Sequence, residues 1–313
     1  MKPTVTPLRY PGGKTWLLPY INDFLKFHKI QLGTIIEPFA GSASVSVGLL
    51  KSGIADNAVL CENDPMIISF WKSALYSSEE FVELIKNTDI SMDTWYEFKK
   101  YLANDAPTKY SDLEIGFAFL FYNRTNYSGI ITAGPIGGRR QLSKYSIKCR
   151  FNPERIIKKV SQLSALNERI EIIHGDGKEY LRKFTGNQEE NIFIYVDPPY
   201  YDAGKVLYRK FFAIDDHMEL EGILTHINSP WLASYDDVDF IRNLYKSSKS
   251  QYVYTDYQAG NLKRGSRELL LSNFKIPPIT AKLKTSNHKI ENVALDQQAA
   301  VGFAPKVNIA PKR

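Results

Sequence analysis

The 313-residue chain has only two cysteines, Cys61 and Cys149, far apart and outside any CxxC or CxxH spacing. That argues against both a disulfide framework and a zinc site. Its five histidines show neither HExxH nor paired spacing, so no metal centre is expected. No apolar run approaches the ~20 residues a bilayer span needs, and residues 1–14 lack the apolar core of a signal peptide. A reduced, cytoplasmic setting is therefore expected. Nor is there an internal repeat at solenoid periods. With 43% hydrophobic and 24% charged residues, the chain is neither disordered nor fibrous, and it is long enough for a large α/β domain with an insertion.

The charge is mildly positive, with 40 Lys and Arg against 34 Asp and Glu, a net of +6. Much of the excess is local: Arg139, Arg140, Lys144, Lys148, Arg150, Arg155, Lys158 and Lys159 are opposed only by Glu154. Such a run is either a solvated basic face or a footprint for a polyanion.

Apolar β-rich runs alternate with helical patterns, as in a sheet built from βα units. Residues 34–37, 59–61, 169–174, 192–196, 231–234 and 269–274 read as strands, mostly continuously apolar and hence buried on both faces. Between the second and third strands lies a helical block of about a hundred residues. Ser77 and Glu80 predict a capping box opening a helix to about Lys86. Residues 65–75, 95–102, 113–123 and 153–167 also read as helices. Residues 127–145 hold Gly129, Gly134, Gly137, Gly138 and Pro135, which predicts a hairpin or ordered loop rimmed by Arg139 and Arg140. The expected organisation is a first catalytic part over 1–71, an inserted helical domain over 72–167, a second catalytic part over 168–284 and a flexible tail over 285–313.

The sharpest motif is Asp197-Pro198-Pro199-Tyr200, directly after an apolar strand. In an open α/β sheet the ligand crevice lies at the carboxyl ends of the strands, where this tetrapeptide falls. The prolines stiffen the turn, the aspartate accepts hydrogen bonds and the tyrosine offers a flat π face. Together they can grip a planar amine, through the Asp197 carboxylate and the Pro198 carbonyl, with Tyr200 stacked on the ring. A structural turn is the plainer alternative.

Glu37-Pro38-Phe39-Ala40-Gly41-Ser42-Ala43 carries a short strand into a tight small-residue turn and a helix. A ligand can approach its backbone and the helix N-terminus. It is not the GxGxxG of dinucleotide enzymes, because Ala43 stands where a further glycine is expected. Glu62, at the end of the next strand, is placed either to accept from ribose hydroxyls or to cap the following helix. Tyr10 and Lys14 sit on a rigid Pro/Gly turn, where Lys14 neutralises a carboxylate or is merely solvated. Asp176, between Gly175 and Gly177, either accepts from a purine amino group or caps a helix.

PGGK, EPFAGSA, END, GD and DPPY, in that order, resemble the Dam-type DNA adenine N6-methyltransferases. The resemblance runs on through residues 231–237 and residues 264–270, covering residues 7 to about 274. It implies a Rossmann-like α/β sheet that uses S-adenosylmethionine, with an inserted helical target-recognition domain carrying a hairpin. It also implies methyl transfer to N6 of an adenine flipped out of double-stranded DNA. Tyr10 and Lys14 would hold the methionine end of the cofactor, and Pro38, Phe39 and Gly41 would line its pocket. Glu62 would take the ribose and Asp176 the adenine. Asp197 would touch cofactor and target, within a catalytic Asp197, Pro198, Pro199 and Tyr200. Asn123, Arg124, Asn126 and Tyr127 match a segment that approaches DNA, and Arg139 and Arg140 would reach a groove. The expected partners are DNA and, in a restriction-modification setting, a separately encoded restriction endonuclease, with the chain a monomer. An N4-cytosine methyltransferase and a non-catalytic DNA-binding protein on the same fold are the alternatives.

Overall fold

The computed structural model describes residues 5–9, 13–186, 189–202, 209, 211–259 and 262–277. Its strands are β1 (Thr34–Glu37), β2 (Asn57–Glu62), β3 (Ile170–His174), β4 (Ile192–Val196), β5 (Trp231–Asp236), β6 (Lys249–Ala259) and β7 (Leu262–Ser272). They form one seven-stranded sheet in the order β3-β2-β1-β4-β5-β7-β6. Strands β1 to β5 pair in parallel, and β7 lies antiparallel between β5 and β6. The order reverses between β1 and β4, and a crevice opens there at the carboxyl ends of the strands.

Two apolar layers sandwich the sheet. On one face Leu220, Ile223 and Leu224 of α10 (Ile214–Leu224) and Ile241 of α11 (Asp239–Leu244) pack against Ile36, Ile194, Val196 and Tyr235. On the other face Ile35, Leu60, Phe193, Tyr195 and Leu232 meet α1 (Leu18–Phe27), α2 (Ser44–Lys51) and α3 (Pro65–Tyr76). The helices of residues 72–167 join this second layer: α4 (Ser78–Asn87), α7 (Asp112–Thr125) and α8 (Pro153–Ser164) contribute Phe81, Phe119 and Val160. The expected insertion thus shares one continuous core with the sheet.

Helix α7 is buried on nearly all sides, and Gly116 lets it press against α3. A Cβ there would lie 2.5 Å from the Ser69 carbonyl oxygen. The contact is fixed by the Ser69 hydroxyl donating to Asp112 at 2.7 Å. The capping box is found here, between Ser111 and Glu114, and not at Ser77, where no side-chain cap forms. One residue separates α3 from α4, and the Ser77 N–H is already donated to the Ser73 carbonyl. Glu80 therefore has no free cap N–H to accept from.

Of the two forms expected for residues 127–145, the structure shows the ordered loop and not a hairpin ladder: it is a series of turns, with one bridge joining Asn126 to Pro135. Gly129, Gly137, Gly138 and Gln141 all have positive φ, which bends the backbone away from strand geometry. Strand β6 was not expected, and β7 starts well before residue 269. The two pair from Lys249 with Ser272 to Ala259 with Leu262. Their Tyr, Thr and charged residues lack the apolar continuity of the parallel strands, although Gly260-Asn261 between them is a two-residue hairpin signal. The tail from residue 285 lies outside the described residues.

Candidate active site

Four parallel strands end in, or just before, an acidic side chain: Glu37 on β1, Glu62 on β2, Asp176 after β3 and Asp197 after β4. All four line one cleft of about 210 Å³, together with Lys14, Phe39, Gly41, Asp64, Pro199, Arg209, Phe212 and Asp216.

Lys14 is the hub of the cleft floor. Only 2% exposed, it sets its ammonium 3.1 Å from Asp197 Oδ1, 3.2 Å from Oδ2 and 3.8 Å from Glu268 Oε2. The ammonium also lies 4.9 Å from the centroid of the Tyr200 ring. Its backbone N–H donates to the Ser44 hydroxyl at 3.1 Å, tying the N-terminal turn to α2. The Ser234 hydroxyl donates to Asp197 Oδ1 at 2.7 Å and lies 2.8 Å from the Tyr195 hydroxyl. Asp197 thus faces the cleft with one oxygen doubly engaged.

Glu37 is buried and accepts from the Ser46 N–H at 2.5 Å. Burial, with Asp197 adding to it, pushes its carboxyl up to about 8 against the pull of Ser46 and Lys14. Glu62 accepts from the N–H groups of Gly41, Asn63 and Asp64, each at 2.9 Å. Burial drives it up to about 7, and Asp64 adds to the rise while those hydrogen bonds oppose it. It does not cap α3; Asp64 does, accepting from the Met66 N–H. Glu268 on β7 is also raised by burial, with Asp197 and Asp236 adding to the rise and Lys14 and the Tyr200 hydroxyl opposing it.

The turns are tight where a ligand must approach backbone. Gly41 and Ala43 both have positive φ, so the alanine that departs from the glycine pattern occupies a left-handed position. Across the cleft a Cβ at Gly177 would lie 2.0 Å from the Pro38 carbonyl oxygen, so Gly177 lets the two turns touch. Asp176 both lines the cleft and caps the helix Gly177–Leu181, accepting from the Lys178 N–H at 2.8 Å. The cap and lining readings are therefore compatible. Phe39 meets Phe212 edge-on at 5.4 Å. Pro38 and Pro198 are buried, and Tyr10 lies outside the described residues.

The segment expected to face DNA divides in two. Asn123 and Asn126 are 1% and 0% exposed. Asn123 accepts from the Arg9 N–H at 2.7 Å and donates to the Arg9 carbonyl at 2.8 Å. Asn126 accepts from the Trp95 indole at 2.7 Å and donates to the carbonyls of Ile130 and Ile131. Both are fully committed inside the protein, holding the N-terminal segment and the glycine-rich loop. Arg124 donates to the Pro7 carbonyl at 3.2 Å. Burial, helped by neighbouring Arg9 and Arg150, lowers its pKa to about 10. Tyr127, Arg139 and Arg140 are exposed.

Glu37, Ser234, Asp236 and Glu268 fall inside motifs read from the sequence, which assigned them no role. Glu37 had a usable signal, a lone charge at the end of an otherwise apolar strand. The other three lie on β5 and β7, far in sequence from the residues they serve.

A sheet of this order, its antiparallel β7 and an acidic cleft at the strand ends define a Rossmann-like methyltransferase that uses S-adenosylmethionine. The family described as D12 class N6 adenine-specific DNA methyltransferase matches residues 10–259, and the chain belongs to it. Among solved structures, spermidine synthase from Thermotoga maritima is 12% identical with a TM-score of 0.36, covering 86% of this chain. The chain spans 59% of that protein's length. The rRNA methyltransferase AviRa from Streptomyces viridochromogenes is 14% identical with a TM-score of 0.36, covering 84% of this chain and 85% of its own. No curated protein matches the sequence.

The lining suits the cofactor. With Glu37 held largely neutral near pH 7, Glu62, Asp64, Asp176, Asp197 and Asp216 are still set against the cations Lys14 and Arg209 among the described residues. That acidic surplus favours a sulfonium cation bearing hydroxyl and amino donors. No group of metal-ligating side chains occurs among the described residues.

Proposed function

We propose that this cleft transfers a methyl group from S-adenosylmethionine to N6 of an adenine flipped out of duplex DNA, with Asp197 as the group that receives the target amine. The supporting observation is the placement of Asp197, facing the cleft from the end of β4 while Lys14 and Ser234 hold it.

Phe39, Gly41, Glu62 and Asp176 would hold the cofactor, with Tyr10 and Pro38 assigned by resemblance. When bound, S-adenosylmethionine supplies an electrophilic methyl on sulfur. Asp197 accepts a hydrogen bond from the adenine amine, and the Pro198 carbonyl a second one. Withdrawing the amino hydrogens from the ring plane localises the nitrogen lone pair for attack. The new C–N bond replaces the C–S bond, and the amine proton departs to solvent. Tyr200 stacks on the base, and the Lys14 ammonium holds the Asp197 carboxylate in place. Orientation and electrostatic placement provide the acceleration. The base must leave the stack because N6 cannot be reached within it.

Residues 72–167 serve as the target-recognition element in this reading. Arg139 and Arg140 lie on the exposed loop, and Arg150 is close enough to Arg9 and Arg124 to lower the pKa of both. Such a cluster favours a polyanion. By the same resemblance the chain is a monomer, with a separately encoded restriction endonuclease as counterpart; the cytoplasmic setting is the one the sequence composition leads us to expect.

The test is transfer from methyl-labelled S-adenosylmethionine to unmethylated genomic DNA, followed by nucleoside chromatography. Label in N6-methyladenine is expected, and Asp197→Asn is expected to remove it while cofactor binding persists. Label in N4-methylcytosine would overturn the substrate, and absence of label with bound cofactor would overturn the DNA reading.

A further inference from the structure

The region beneath the DPPY turn is built where the sheet changes from parallel to antiparallel. Strand β5 pairs with β7 so that Asp236 lies opposite Glu268 and Ser234 opposite Leu270. Directly opposed residues share a face, as do residues two apart on one strand. Ser234, Asp236 and Glu268 therefore project to one side, the side on which Leu232 and Leu270 enter the core. Each meets a different part of the turn. Ser234 donates to Asp197 Oδ1 at 2.7 Å. Asp236 accepts from the N–H groups of Tyr201 at 3.1 Å and Asp202 at 2.8 Å. Glu268 sits 3.8 Å from the Lys14 ammonium and interacts with the Tyr200 hydroxyl.

We propose that Ser234, Asp236 and Glu268 are positioning residues that together hold both ends of the DPPY turn and leave Asp197 Oδ2 as the oxygen that receives the target amine. The proposal rests on the methyl-transfer reading of the cleft. Among the described residues Oδ1 is engaged by Ser234 and Lys14, whereas Oδ2 has only the Lys14 contact at 3.2 Å. Ser234 is itself fixed by its contact with Tyr195, whose ring is buried in the core. Loss of the Ser234 hydroxyl frees the carboxylate to rotate and exchange its two oxygens. The two N–H bonds to Asp236 set the path of the chain just after Tyr200, and so the plane of its ring. Glu268 limits the travel of Lys14 and Tyr200 on the opposite side. None of the three touches the reacting atoms.

The experiment compares Ser234→Ala, Ser234→Thr, Asp236→Asn, Asp236→Ala and Glu268→Gln in the full-length protein. Amide hydrogen exchange is read without substrate, and steady-state transfer to unmethylated DNA is read alongside it. For Asp236→Ala, exchange at Tyr201 and Asp202 is expected to quicken about tenfold or more, while amides in β4 keep their protection. Asp236→Asn keeps the size and one acceptor, and quickens them less; it serves as the reporter if the alanine variant fails to fold. Ser234→Ala and Glu268→Gln are expected to lower kcat by about 10- to 100-fold, with KM for DNA and Kd for S-adenosylmethionine within about threefold. Ser234→Thr, which keeps the hydroxyl, is expected to restore most of the kcat that the alanine loses. Unchanged exchange at Tyr201 and Asp202, or a kcat within about threefold of wild type in Ser234→Ala, would overturn the proposal. So would loss expressed only as a higher KM. The exchange arm needs no substrate, so a wild-type protein that methylates no adenine yet shows the expected exchange pattern defeats the functional reading and not the cradle.

Discussion

The Lys14 ammonium lies 3.1 Å from the Asp197 carboxylate although 183 residues separate them, and the lysine is almost sealed from solvent. A buried cation in this position holds two carboxylates, Asp197 and Glu268, in a space that would otherwise repel both. Its removal costs more than a surface ion pair because the partner charges stay buried. Lys14→Met is expected to destabilise the fold by about 3–5 kcal/mol near neutral pH and to cut transfer by at least about 100-fold. The stability loss shrinks as pH falls and the buried Glu268 carboxyl, already raised by burial, protonates, which thermal melts across pH will show. A melt indistinguishable from wild type would contradict the hub role.

Glu37 makes stability depend on pH in a definite direction. Its carboxyl is held up to about 8 in the folded protein, from an ordinary value of 4.5. The native state therefore binds that proton more tightly than the unfolded chain does. The stabilisation is fully present below the ordinary value and is lost as pH climbs through about 8. Glu37→Gln is permanently neutral, so its stability should fall less steeply between about pH 5 and about pH 9, with an upper bound near 5 kcal/mol on the difference. Parallel slopes for the two proteins would exclude this role.

The exposed arginines of the glycine-rich loop carry a salt-dependent prediction. The Arg139→Ala, Arg140→Ala double variant should weaken DNA binding and reduce the slope of log affinity against log salt by about 2, if both contact phosphate. Affinity for S-adenosylmethionine should not change. Fluorescence anisotropy at several salt concentrations reads the first effect and calorimetry the second. A preserved salt slope with altered site preference would assign the arginines to base edges instead.

Two glycines with similar torsions should behave differently. Gly129 has φ +79° and Gly138 φ +73°, but only Gly129 has a neighbour where a Cβ would go, the Arg9 carbonyl oxygen at 2.3 Å. Gly138→Ala should cost about 1–2 kcal/mol from the torsion alone. Gly129→Ala should cost clearly more and loosen the Arg9 segment from Asn123, detectable as faster proteolysis near the N-terminus. Equal costs would show that the N-terminal segment does not need this contact.

By itself the sequence determined the parallel strands and the turns that follow them. The run at 192–196 is apolar because it is covered on both faces, and β1 and β4 begin and end where that run of residues predicts. Pro, Gly and acidic residues at strand ends are local signals, so EPFAGSA, END, GD and DPPY could be placed on the crevice without coordinates. Tertiary structure alone decided which charges meet. Lys14, Asp197 and Glu268 come from three distant segments, and no periodicity links them. It also decided that Asn123 and Asn126 point inward: an asparagine beside an arginine reads as a surface contact until the Arg9 backbone is seen to consume its amide. Strand β6 escaped for the same reason. Its pairing partner supplies the order that its mixed polar sequence does not, and a sheet edge needs less apolar surface than a strand buried on both faces.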